Sequence, residues 1–136
     1  MKGNRAVLYL RLSKEDIDKV NKGDDSASIK NQRLLLTDYA LAHQFKVLHV
    51  YSDDDESGLY DNRPDFEKMM TDAKLGEFDI IIAKTQSRFS RNMEHIEKYL
   101  HHDLPNLGIR FIGVVDGVDT DNEENKKSRQ INGLVN

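Results

Sequence analysis

The chain has 136 residues, 38% hydrophobic and 32% charged, which suits one soluble globular domain and is short for two. It holds no cysteine, and its five histidines fall in no HExxH or finger spacing, which excludes disulfides, thiolate zinc sites and a cysteine nucleophile. With 20 basic and 24 acidic residues the net charge is −4, so any phosphate chemistry must rest on a local basic cluster or on a separate domain.

Residues 6–12 form the first apolar, β-branched run. With the strand period of two, Tyr9, Arg11 and Ser13 share one face, and Leu8, Leu10 and Leu12 the other. An arginine within an apolar strand needs an anionic partner. Either Ser13 presents its hydroxyl beside the guanidinium at the strand tip, or Arg11 is salt-bridged and Ser13 only caps a helix. Residues 14–26 are highly charged, contain Gly23-Asp24-Asp25, and are expected to be mobile.

A first helix is predicted over residues 28–44, with Ile29, Gln32, Leu36 and Ala40 on one face. Gln32 on that face needs hydrogen-bond partners; it reaches toward the strand-one tip or serves as a capping or core-network amide. A second strand is expected over residues 46–51. The Asp53-Asp54-Asp55-Glu56 run after it is a candidate Mg²⁺ cluster or a solvated acidic loop, and the loop is the favoured reading. Arg63 is a candidate phosphate contact or a partner of these acids. Pro64 opens a second helix, with Phe66, Met69, Met70 and Ala73 as its apolar face and Gly76 as its stop.

Residues 78–83 are nearly continuous in apolar character, as in a strand buried on both faces of a parallel sheet. Lys84-Thr85-Gln86-Ser87-Arg88-Phe89-Ser90-Arg91 follows. Arg88 and Arg91, three apart around a helix start, point to one side, and two guanidinium forks there suit a phosphate or its pentacoordinate transition state. The competing reading is a solvated basic turn. A third helix begins near residues 90–92, with Met93, Ile96, Leu100 and Leu104 as its stripe and Pro105 and Gly108 ending it. Residues 109–115 form the fourth strand, and the acidic segment 116–125 is expected to be mobile.

The alternating order predicts a three-layer α/β domain with a mainly parallel central sheet and helices on both faces. Working residues then lie beyond the carboxyl ends of the strands. No Walker loop, G-x-G-x-x-G run or G-x-S-x-G elbow is present, and no histidine obviously reaches Ser13. If Ser13 is a nucleophile, arginines must make it one. No stretch approaches the roughly 18 to 20 apolar residues of a membrane helix and no signal-type run opens the chain, so a cytoplasmic protein without membrane contact is expected.

Five motifs in order carry a resemblance: Tyr9-x-Arg11-x-Ser13, Ser28-Ile29-x-x-Gln32, Asp54-x-x-Ser57-Gly58, Arg63-Pro64-x-Phe66 and Ser87-Arg88-x-x-Arg91-Asn92. Together they resemble the serine recombinase (resolvase/invertase) catalytic domain over about residues 5–120. Leu12-Ser13-Lys14-Glu15-Asp16, Arg110-Phe111-Ile112 and Asp116-Gly117-Val118-Asp119 are similar to the large recombinases and transposases of mobile elements.

The resemblance implies that Ser13 attacks a DNA phosphodiester to give a 5′-phosphoserine linkage, with Arg11, Arg88 and Arg91 holding the phosphate. Gln32, Arg63 and Asp54 would support them, beside Tyr9, Ser87 and Lys84. Neither metal nor cofactor is implied. The partners implied are double-stranded DNA and, in a full-length protein, a homodimer that pairs into a synaptic homotetramer. Residues 1–125 would be the catalytic domain, and residues 126–136 the start of a long linking helix toward C-terminal DNA-binding domains. Residues 1–136 alone are then expected to bind DNA weakly. One departure stands out: the family carries an aspartate, a candidate general acid, where this chain has Ser87. Lys84 is a candidate helper. The alternatives are a catalytically silent assembly or regulatory module of the same fold, and a receiver-like or flavodoxin-like signalling domain. The latter would need an acidic pair after strand one or a phosphate loop, and has neither.

Overall fold

In the computed structural model, which describes residues 3–12, 14–24, 28–54, 63–89 and 93–121, strand β1 (Arg5–Leu12) is buried from Ala6 to Arg11. It pairs in parallel on both sides, with β2 (Lys46–Asp54) and with β3 (Ile80–Ala83). That double pairing explains why it lacks the alternation of a half-exposed strand. The sheet continues through β4 (Arg110–Gly113), parallel to β3, to β5 (Val118–Asp119), antiparallel at the edge, giving the order β2-β1-β3-β4-β5.

Helix α1 (Lys14–Asn21) follows β1, and α2 (Ile29–Ala42) precedes β2. Ser28 caps α2, its Oγ accepting from the Asn31 amide at 3.2 Å. Leu36 and Ala40 of α2 pack on Ala6, Leu8, Leu10, Ile80, Ile82 and Ile112. The opposite face, with Val7, Tyr9, Ile81 and Phe111, is covered by Phe66, Met69 and Ala73 of α3 (Pro64–Lys74) and by Leu100 and Leu104. Gly76, at φ +74, turns the chain after α3. The three-layer, mainly parallel α/β architecture is therefore the one the element order predicts. No helix among the described residues is long and apolar enough to cross a membrane.

Three local expectations are corrected. The 14–26 segment contains α1, because Ile17 and Val20, three residues apart, give it a half-buried stripe. The third helix is unbroken over the described residues 93–106 but is not one regular α-helix: α5 (Met93–Lys98) passes into a π-helical turn (Tyr99–Asp103) and then α6 (Leu104–Asn106), and a one-turn α4 (Gln86–Phe89) lies ahead of it. Pro105 sits within α6 rather than after it; its missing N–H cannot serve the preceding turn, and a widened turn immediately before is one way to absorb that. The described part of 116–125 is ordered by pairing: Val118 is buried, and the Arg110 fork grips Asp119 through Nε (2.9 Å) and Nη2 (2.6 Å). Residues 122–136, the predicted linking helix among them, lie outside the described residues.

A second fork ties the start of β1 to the entry of β3. Arg5 donates from Nε to Asp79 Oδ2 (2.9 Å) and from Nη2 to Oδ1 (3.0 Å). The Arg5 hydrogen bonds hold the Asp79 carboxyl below its ordinary 3.8. A carboxylate lowered in this way adds stability above the unfolded value, and that stability is lost as pH falls through the folded one. The stability gap between wild type and Asp79→Asn, measured by urea unfolding, is thus expected to shrink from neutral pH into acid. A gap constant across that range would contradict the assignment.

Candidate active site

Adjacent parallel strands deliver their carboxyl ends to the same edge, and β1 and β3 meet there. Arg11, near the end of β1, is 5% exposed, and Gln32 of α2 is 1% exposed. The Gln32 Nε2 donates to the Arg11 carbonyl (3.0 Å), and the Arg11 amide donates to Gln32 Oε1 (3.3 Å). A single side-chain amide thus satisfies both backbone groups of Arg11. This accounts for a polar residue on the apolar face of α2.

Arg88 arrives from α4. Its Nη1 donates to the Arg11 carbonyl (3.2 Å) and pairs with the carboxylate of Asp16 on α1. Its Nε is buried without a hydrogen-bond partner among the described residues, which therefore do not saturate this guanidinium. Four elements therefore converge on the β1 tip, carrying Arg11, Asp16, Gln32 and Arg88. Asp16 is the member that the sequence reading did not single out. No local signal marks it, since its burial depends on a partner 72 residues away.

The loop that carries Arg88 is fastened from the far side. The Gln86 amide donates to Asp116 Oδ2 (2.9 Å). Gly113 leaves room for this, since a Cβ there would collide with the Asp116 carboxylate. Lys84 is half-buried at the end of β3, and Ser87 is exposed, its Oγ 2.7 Å from Thr85 Oγ1.

Tyr9 and Arg63 belong to a neighbouring network on the sheet face that α3 covers. The Tyr9 hydroxyl donates to Asp53 Oδ2 (2.8 Å), and that carboxylate also accepts the amides of Asp65 (3.0 Å) and Phe66 (2.9 Å). Asp53 thereby caps α3 from β2, because the N-cap residue, Arg63, offers no side-chain bond of its own. Burial and the Asp53 charge hold the Tyr9 phenol far above its ordinary range, while the Arg63 and Arg11 charges oppose them. The Arg63 guanidinium lies 3.9 Å from the centroid of the Phe66 ring. Of the acidic run, Asp53 is thus occupied by these three donors. The Asp54 backbone closes β2; its side chain, Asp55 and Glu56 lie outside the described residues. Ser13, Ser57, Gly58, Arg91 and Asn92 also lie outside them.

The site can be set against known proteins. The family model "Resolvase, N terminal domain" matches residues 6–136. The chain belongs to the resolvase family of serine recombinases. No curated protein matches it. This resolvase-family domain is similar in fold to the N-terminal catalytic domain of TP901-1 integrase, at 23% identity and a TM-score of 0.77, covering 96% of this chain and 92% of that one. A resolvase-family site-specific recombinase from Streptococcus pneumoniae is similar at 23% identity and a TM-score of 0.73, covering 96% and 95%. The C-terminal catalytic domain of ISC1926 TnpA, an IS607-like serine recombinase, is similar at 26% identity and a TM-score of 0.60, covering 79% and 67%.

Proposed function

We infer that this resolvase-family domain is the catalytic part of a site-specific DNA recombinase or transposase, in which Ser13 is the nucleophile. The Ser13 Oγ forms a bond to the phosphorus of a DNA phosphodiester, and the bond from phosphorus to the 3′-oxygen breaks. The serine proton leaves to water, and the 3′-oxygen is protonated from water. The product is a 5′-phosphoserine and a free 3′-hydroxyl. Attack by a 3′-hydroxyl from another duplex reverses the step, so no ATP, metal or other cofactor enters. Arg11, Arg88 and Arg91 bind the phosphate and the charge that grows on its oxygens. Gln32 positions Arg11 through its backbone, and Asp54, Arg63, Tyr9, Ser87 and Lys84 support the surroundings.

The observation that carries this reading is the buried convergence of Arg11, Gln32 and Arg88 at the end of β1, the strand that leads directly into Ser13. A silent module of the same fold has no need of a serine set among arginines at a strand tip. In the reading, double-stranded DNA is the partner and the working assembly is a homodimer that pairs into a tetramer. Residues 1–125 are the catalytic unit, residues 126–136 lead toward DNA-binding domains, and the protein acts in the cytoplasm.

The test is covalent trapping. The full-length chain is incubated with fragmented genomic DNA of its source organism, nicked to block religation, and then denatured. Protein–DNA adducts joined at 5′ ends, with 3′-hydroxyls opposite, are expected. The absence of any denaturation-resistant adduct would overturn the reading.

A further inference from the structure

The carboxylate of Asp16 has no part in the chemistry described so far, yet it is among the most buried charges of the domain. Its side chain is 6% exposed and that of its partner Arg88 is 12% exposed. An ion pair this deep is weak evidence for stability, because the loss of hydration offsets the attraction. What the pair does is geometric. Arg88 projects from α4, a helix of a single turn, on a long side chain with large rotamer freedom. Asp16 takes one edge of the guanidinium, through Nη1, and the same nitrogen rests on the Arg11 carbonyl. The Arg11 backbone is in turn fixed by Gln32. The chain of contacts thus runs from Gln32 through Arg11 to Arg88 and ends on Asp16.

We propose that Asp16 is a positioning residue for strand cleavage, holding Arg88 at the β1 tip so that its remaining donors meet the phosphoryl oxygens without a search through rotamers. The role rests on the recombinase reading. Its effect belongs to the rate and not to affinity, because affinity for DNA is set by many phosphate contacts, whereas misplacing one reacting partner by about 1 Å lowers a rate by roughly 10²-fold.

The experiment uses the full-length chain and the duplex recovered by trapping, under single-turnover conditions. At saturating duplex, Asp16→Asn is expected to slow adduct formation by about 10²-fold, while half-saturation moves by less than about threefold. Asp16→Glu, which keeps the charge and changes the shape, is expected to retain more of the rate than Asp16→Asn, which keeps the shape and loses the charge. A role through packing alone gives the opposite order. Asp16→Asn at the wild-type rate, above it, or ahead of Asp16→Glu overturns the assignment, and a wild-type adduct that depends on Ser13 then leaves the recombinase reading standing. If the wild type gives no adduct, that reading falls and this role with it. If Asp16→Asn does not fold, Asp16→Gln is compared with Asp16→Glu, alike in size and different in charge: slower cleavage by Asp16→Gln at unchanged half-saturation supports the role, and equal rates overturn it.

Discussion

Ser13→Ala is expected to abolish the covalent adduct altogether. The prediction is stronger than a loss of rate, because alanine has no atom that can bond to phosphorus. Arginines that stabilise a transition state still bind the phosphate when the nucleophile is gone, so DNA binding should persist. The pairing of outcomes matters. An adduct lost with binding retained isolates the chemical step. An adduct retained in Ser13→Ala would place the nucleophile elsewhere, and the arginine cluster would need another partner. The measurement is trapping of both proteins on the same duplex, with a filter-binding assay as its companion.

Asp53→Ala is expected to be the most damaging single change to stability outside the apolar core. The carboxylate is 4% exposed and receives three donors, the Tyr9 hydroxyl and the amides of Asp65 and Phe66. Alanine leaves all three without their acceptor, at about 1–3 kcal/mol for each buried group, some of it recovered by relaxation. A net loss of about 3–5 kcal/mol is expected. For a domain of this size that lowers the melting temperature by about 10–20 °C. Tyr9→Phe, which removes one donor and leaves the helix cap in place, should lose only about 1 kcal/mol. Thermal and urea unfolding of the two variants check this. Equal losses would mean that the Tyr9 bond, which joins β1 to β2, carries the stabilisation and that the cap on α3 adds nothing.

The same carboxylate shows where the sequence could be read and where it could not. Asp53 sits in an acidic run that suggests a solvated loop, and only the strand period that follows Tyr51 places it inward. Its partners, Asp65 and Phe66, lie beyond an intervening loop, and no local pattern announces a cap supplied from another strand. Gln32 was legible because a polar residue on an apolar helix face must find partners, and the nearest backbone is the strand the helix covers. Arg88 was legible as a member of a basic cluster at a strand end. Asp16 was not, since its neighbours Lys14, Glu15 and Asp18 make the segment look like solvated charge. Its burial depends on Arg88, 72 residues away. The fold class followed from four apolar runs separated by amphipathic ones. The π-helical turn and β5 did not, because each depends on a neighbouring element: the turn precedes Pro105, and β5 is held by β4 through Arg110 and Asp119.

Locating the covalent bond separates Ser13 from every other nucleophile of the chain. The trapped adduct would be digested with nuclease and protease and the modified peptide sequenced by mass spectrometry. A nucleotide joined through its 5′-phosphate to the peptide that contains Ser13 is expected, with a partner DNA end that a polymerase can extend. A nucleotide on any other residue, or one joined through its 3′-phosphate, would contradict that expectation.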